Sequence, residues 1–332
     1  MCLPVYLSPD VLMRIPGRNH RGFSRVLLYA LLLLLTPLQA ASGQDVVVIF
    51  SVGTAPVYSQ VAGKLKSYLN EECAKISDSC PSLHTQIITA SPGDDAPVIP
   101  PDTRLIITLG QRAGEIIGDL RTDTPVLHAL IPQTAYQKLV KDSPSSAIFL
   151  DQPISRLFLL AGIIRPDPHI GLLMSPLTES LKSELIADSQ QQGIPVTYRD
   201  VASSDTVGPL LKEVLEESNV LLALPDPNIF NSTTIFNILL SSYHKRIPVI
   251  GFSSAYVKAG ALIAAYSTPN DIARHLAEYT ASYLHSETEI LPGPIYPKYF
   301  SVSVNQSVAR SLGISLPDET VIVKRMMEQS RP

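Results

Sequence analysis

The 332-residue sequence predicts an α/β protein with two doubly wound parallel-sheet lobes around a hinged cleft. Three observations carry that expectation. Short apolar runs rich in Val, Ile and Leu recur from Asp45 onward, each bounded by Gly, Pro, Ser or Asp. Runs of this kind fit strands buried on both faces. Helix-periodic segments separate the runs, which argues for parallel pairing. The alternation continues to Leu150 and then begins again near His169, giving two series rather than one long sheet.

In the first series, Asp45–Phe50 (DVVVIF) reads as a buried strand. Pro56 suits a first helical position, and Val57, Val61, Leu65 and Leu69 form the apolar stripe of a helix over Val57–Ala74. His84–Ala90, Arg104–Leu109, Pro125–Leu130 and Ser146–Leu150 read as further strands, with a helix opening at Gln111. The second series runs through a helix at Ile154–Ile164, a strand at His169–Met174 and a helix at Leu177–Gln192. It continues with a strand at Pro195–Asp200, a helix at Val207–Glu217 and a strand at Val220–Leu224. A helix at Ile229–His244 and a strand at Ile247–Gly251 close it. A strand-like run at Ala261–Tyr266, a long amphipathic helix and an alternating strand stopping at Asn305 follow. Crossings expected near Asp151, Ser254–Gly260 and Leu291–Tyr296 give a first lobe of 44–152 plus about 257–293. The second lobe is then 153–256 plus about 294–325.

Residues 1–43 stand apart from this pattern. Arg14, Arg18, Arg21 and Arg25 precede the apolar run Val26–Leu35, and small residues fill Thr36–Gly43. That is the layout of a secretory signal peptide. The run is shorter than the roughly 20 residues a membrane-spanning helix needs. Residues 1–12 lack this logic, so translation can start at Met1 or at Met13. The expectation is a soluble product exported to the periplasm, and a monomer. Leaving out residues 1–40, with their four arginines and one aspartate, moves the balance from 26 basic and 30 acidic residues to 22 and 29, a net charge of −7. A mildly acidic chain without a basic stripe is a poor nucleic-acid binder. Beyond Cys2, only Cys73 and Cys80 remain. Seven residues apart in an exported chain, they either form a disulfide or stay as two thiols. The seven histidines show no H-x-x-x-H pair and there is no C-x-x-C, so neither a metal nor another cofactor is expected.

Ligands of open α/β sheets bind beyond the carboxyl ends of the strands, so the loops after the strands are the candidate site. On the first lobe these supply Ser51, Gly53, Thr54 and Tyr58, and then Gly110, Gln111 and Arg112. The Gly110–Gly114 segment lacks the full G-x-G-x-x-G of a dinucleotide fingerprint. On the second lobe, Ser175, Thr178 and Ser180 surround a helix start. There free N–H groups either receive a ligand anion or are capped by these side chains. Asp226, stiffened between Pro225 and Pro227, either meets a ligand or caps the next helix, a role Asn228 also fits. Ser253, Ser254 and Tyr256 follow the strand at Ile247–Gly251. Gly251-Phe252-Ser253-Ser254-Ala255 only partly matches the nucleophile elbow G-x-S-x-G, and no acid–histidine pair is placed at later strand ends, so hydrolase chemistry is not expected.

Four stretches carry a family resemblance: AIFLDQPISR (Ala147–Arg156), HIGLLMSPLTES (His169–Ser180), VLLALPDPN (Val220–Asn228) and VNQSVARSLGISLP (Val304–Pro317). Together with the order of elements after Ile247, they resemble bacterial ABC-transporter substrate-binding proteins of the periplasmic type I class. The branch that binds aromatic amino acids is the most similar. The resemblance implies a non-enzymatic binder that traps a small polar solute, such as an amino acid, by lobe closure and delivers it to an inner-membrane ABC permease. It also implies that the Ser175–Ser180 loop holds the ligand's acidic end and Asp226 its amino end. A sensor or scaffold that regulates a membrane receptor or uptake system without a permease is the alternative. Ser51–Ala55 and Ala129–Pro132 depart from the sequences common in that branch, which leaves the ligand's identity open.

Overall fold

Two separate sheets organise the structure, a computed structural model that describes residues 45–76, 83–140, 144–203, 206–286, 288 and 290–329. The leader-like segment and Cys80 lie outside the described residues, so the export and disulfide expectations are not addressed by it. The first sheet has the order β2-β1-β3-β4-β5 and is parallel throughout. Its strands are β1 (Val46–Val52), β2 (His84–Ala90), β3 (Thr103–Leu109), β4 (Val126–Ala129) and β5 (Ser145–Ile148). Every residue of β1 is buried, because both faces are covered. Val47 and Ile49 pack toward α1 (Pro56–Ile76). Val46, Val48, Phe50 and Val52 pack toward α2 (Gln111–Asp119). A short α3 (Gln133–Leu139), which the sequence reading missed, sits between β4 and β5.

The second sheet has the order β11-β10-β9-β8-β6-β7, with only β10 and β11 antiparallel. It contains β6 (Ile170–Met174), β7 (Val196–Asp200), β8 (Val220–Leu222), β9 (Val249–Gly251), β10 (Ile263–Tyr266) and β11 (Ser301–Val304). Helices α4 (Ile154–Ile164) and α5 (Lys182–Gln192), the latter entered through a 3₁₀ turn at Glu179–Leu181, cover one face. On the other lie α6 (Val207–Glu217), α7 (Ile235–His244) and α8 (Ser254–Ala259). The helix expected from Ile229 begins only at Ile235. The Asn231 side chain accepts the Thr233 and Thr234 N–H groups at 3.0 and 3.3 Å, which holds residues 231–234 in a turn.

Three crossings join the lobes. The first leaves β5 through Leu150–Pro153. The second lies at Ser267–Thr268, later than the expected Ser254–Gly260, because β10 pairs with β9 and β11 inside the second sheet. Then α9 (Pro269–Leu284) crosses back and packs its Ile272, Leu276 and Tyr279 against Val61, Leu65 and Leu69 of α1. After α9 the chain first lies along the first sheet, where Ile295 bridges Ile148. The third crossing therefore follows Tyr296 and leads into β11, α10 (Gln306–Leu312) and α11 (Glu319–Gln329). In this arrangement residues 263–266 pair within the second sheet, with α8 packed on its face, and Ile295 bridges the first sheet, whereas the sequence reading set 257–266 in the first lobe and 294–295 in the second.

Candidate functional site

One chain of hydrogen bonds ties the three crossings together. Arg156 of α4 donates to the Gln152 side-chain oxygen at 2.5 Å and to the Pro297 carbonyl at 3.0 Å. Gln152 donates in turn to the Ser267 hydroxyl at 3.1 Å, and Ser267 donates to the Tyr299 carbonyl at 2.7 Å. The Arg156 guanidinium also lies 4.2 Å over the Phe300 ring. Burial pushes the Arg156 pKa down to about 10, so the group stays charged at neutral pH.

Against these crossings, and with walls from both lobes, lies a cavity of about 570 Å³. Its apolar walls include Leu150, Ile154, Leu157, Leu181, Leu224 and Phe252. Asp151 lines it and is the one formally charged residue among its described lining residues; no Lys, Arg or His is among them. The Asp151 Oδ2 accepts the Gln133 N–H at the start of α3, at 2.5 Å. Burial, with the nearby Glu184 carboxylate adding to it and the Gln133 N–H opposing it, raises the Asp151 pKa to about 6. Glu184 itself reaches across from α5. Tyr296 donates to it at 2.7 Å and also contacts Gln133 at 2.6 Å, joining both lobes beside the cavity. Burial raises the Tyr296 hydroxyl above its ordinary value, helped by that bond to Glu184.

The polar residues picked out on the second lobe form a different structure. Asp226 is buried, and both of its carboxylate oxygens are occupied. Oδ2 accepts the Thr178 hydroxyl at 3.0 Å and Oδ1 accepts the Asn228 N–H at 3.0 Å. Thr178 also accepts the Ser175 N–H at 3.0 Å, and the Asn228 amide donates to the Ser175 hydroxyl at 3.1 Å. The two loops are bonded to each other directly, with no space for a ligand between Thr178 and Asp226. This is the capping role left open above, extended across two loops. Ser180 is exposed. Ser175 and Asn228 border a smaller polar depression of about 370 Å³.

Other predicted residues divide between surface and core. Ser253 and Ser254 line the large cavity, and the Ser253 hydroxyl caps α8 by accepting the Tyr256 N–H at 3.2 Å. Tyr256 is a core residue instead. Its ring packs on Phe252 at 4.8 Å and Phe230 at 5.9 Å, and Gly251 leaves it room, since a Cβ there would sit 2.9 Å from the ring. On the first lobe, Ser51 is buried against Thr89 at 3.3 Å, Gly53 is half-buried and Thr54 is exposed. Tyr58 covers Gly110, which has φ 88°; a Cβ there would lie 2.6 Å from the Tyr58 hydroxyl oxygen. Gln111 and Arg112 are exposed and both bond Glu115 of their own helix. None of these first-lobe residues lines the cavity.

The residues that the sequence reading did not assign to a site are Gln133, Asp151, Glu184 and Tyr296. Asp151 was visible as the exit from the first lobe, but only the crossing geometry brings it beside residues 133 and 296. Among the described residues no group of three or more His, Cys, Asp or Glu is placed to hold a metal. No described helix is long and apolar enough to cross a membrane.

With this geometry, the fold is that of the periplasmic binding proteins of type I. Solved structures that share it include a conserved domain protein from Vibrio cholerae, 19% identical over 85% of this chain and 98% of that one, with a TM-score of 0.53. An ABC domain from Streptococcus pneumonia in complex with L-Trp is 16% identical over 85% of this chain and 98% of that one, with a TM-score of 0.55. A ligand-free, open substrate-binding protein with adhesive properties from Clostridium difficile is 15% identical over 82% and 96%, with a TM-score of 0.60. No family model and no curated protein matches the chain by sequence.

Proposed function

We propose that the protein is a solute-binding protein of an ABC-type uptake system, working by lobe closure around a small molecule. The observation that carries this reading is the cavity of about 570 Å³, which is walled by both lobes and backed by all three crossings. A pocket of about 300–1,000 Å³ suits a small organic ligand. Its position lets a hinge motion open and close it, with the Arg156–Gln152–Ser267 chain as the fixed element about which the lobes turn. The likeness in fold to a tryptophan-bound ABC domain and to an open, ligand-free substrate-binding protein supports the same reading. The sequence layout of Arg14–Gly43 fits delivery across a membrane, where an inner-membrane permease would receive the loaded protein.

In this scheme the ligand binds the closed form better than the open one, since only differential affinity moves such an equilibrium. Small-angle X-ray scattering across a library of small solutes tests it. A bound solute should reduce the radius of gyration, and calorimetry should give a dissociation constant near micromolar, about −8 kcal/mol. Solutes that bind without compaction would contradict lobe closure.

A further inference from the structure

We infer that the cavity selects an apolar amine that carries no carboxylate, such as an arylalkylamine, seating its ammonium on Asp151. This rests on the solute-binding reading above and adds the substrate class to it.

Four features point the same way. The walls at Leu150, Ile154, Leu157, Leu181, Leu224 and Phe252 are apolar. A sugar or polyol would leave hydroxyls against them without partners. Most of the cavity's polar side chains are already engaged within the protein. Gln152 and Ser267 serve the crossing chain, Tyr266 bonds Ser303 at 2.8 Å, and Tyr296 serves Glu184.

Three of the helix starts at the cavity are taken by the protein's own carboxylates, and the short α8 is capped by the Ser253 hydroxyl. Asp151 accepts the Gln133 N–H at α3, and Glu184 accepts the Ile154 N–H at α4, 3.3 Å away. At α9, Thr268 and Asp271 close a reciprocal cap, with Asp271 accepting the Thr268 N–H at 2.9 Å. A ligand carboxylate therefore finds no basic side chain among the described lining residues, and at α3, α4 and α9 it meets a carboxylate already in place. An amine meets the opposite condition. Asp151 faces it, Glu184 stands behind with the same sign, and a cation between apolar walls gains the pairing that makes its burial tolerable. Ser254, whose hydroxyl is not part of the α8 cap, also lines the cavity.

A matched set of probes tests this on the wild-type protein by calorimetry, with scattering run in parallel. The set is phenethylamine, phenylalanine, 3-phenylpropionate, 2-phenylethanol and myo-inositol. Phenethylamine should bind at least about tenfold more tightly than phenylalanine, and 3-phenylpropionate should be weakest. Asp151→Asn should erase the preference for phenethylamine over 2-phenylethanol. Should that variant fold poorly, the wild-type ranking decides alone. Equal or tighter binding of phenylalanine, or closure with myo-inositol only, overturns the amine while keeping a solute-binding protein. If none of the five probes binds, the amine is overturned, and the library of small solutes decides the solute-binding reading separately.

Discussion

Asp151 and Asp226 look alike in the sequence and are used in opposite ways. Each follows a strand of a parallel sheet, each has a proline within two residues, and each sits where α/β proteins present side chains to a cleft. Asp226 spends both oxygens on its own neighbourhood, on the Thr178 hydroxyl and the Asn228 N–H. Asp151 gives one oxygen to the Gln133 N–H and lines a cavity whose described lining residues offer it no cation. A carboxylate whose bonds all close within adjacent loops fixes those loops. On the proposal above, one left beside an apolar cavity, and crowded by a second carboxylate, receives a partner from outside.

The largest effect expected from this contrast is on stability. Asp226→Ala orphans the Thr178 hydroxyl and the Asn228 N–H and unties the two loops. The loss should be about 2–4 kcal/mol, from the cost of unpaired buried donors to a charged acceptor. Thermal or urea unfolding of the ligand-free protein measures it. An unchanged midpoint would show that Asp226 is not structural and would weaken the comparison at its root.

Next comes pH. His128 is buried against Thr108, and His275 accepts the Lys298 N–H at 3.2 Å; burial holds both pKa values down to about 4. Each is neutral in the fold. Their contribution is present above about 6.5, the value in the unfolded chain, and is lost as pH falls toward 4. Asp151 works against them. Its folded pKa is raised to about 6, so the unfolded chain releases the proton more easily, and its contribution is lost as pH rises from about 4 to 6. Removing that opposing group by Asp151→Asn should make stability climb more steeply between pH 4 and 6.5. The extra rise is about 2–3 kcal/mol, from a shift of about two pKa units. Parallel slopes in the two proteins would mean that Asp151 has an ordinary carboxylate pKa. Its special position would then be in question.

A smaller effect belongs to Tyr296, which neutralises part of the crowding beside Asp151. Tyr296→Phe removes the donor to Glu184 and Gln133 and should cost about 1 kcal/mol, one hydrogen bond to a partly buried charged group. The same change brings the Glu184 charge to bear more fully on Asp151. The midpoint of amine binding with pH should therefore move upward. A downward shift would show that Glu184 does not act on Asp151.

Much of the fold was readable because its strands are buried on both faces, so apolar runs such as DVVVIF and RLIITL stand out without any alternation to decode. Helix α1 was readable from Val61, Leu65 and Leu69, which form its buried stripe. The late start of α7 was hidden, because it depends on Asn231 bonding two N–H groups ahead of it rather than on periodicity. The second crossing was misplaced for a related reason. Ala261–Tyr266 reads as a strand in either lobe, and only its pairing with β9 and β11 decides which. The candidate site was less legible than the fold. Ser253 and Ser254, picked out by their place after a strand, line the cavity, but Gln133, Glu184 and Tyr296 come from three distant segments whose convergence leaves no local mark. Asp226 stood out as a charge between two prolines, yet that rigid setting serves loop anchoring as well as it would serve a ligand.

The two carboxylates can be set against each other in one calorimetric experiment, titrating phenethylamine into the wild type, Asp151→Asn and Asp226→Asn under conditions where all three are folded. The account predicts about a tenfold loss of affinity or more for Asp151→Asn and a change within about twofold for Asp226→Asn. A tenfold loss at Asp226 with an unchanged Asp151 variant would contradict it and return the ligand to the loops of the second lobe.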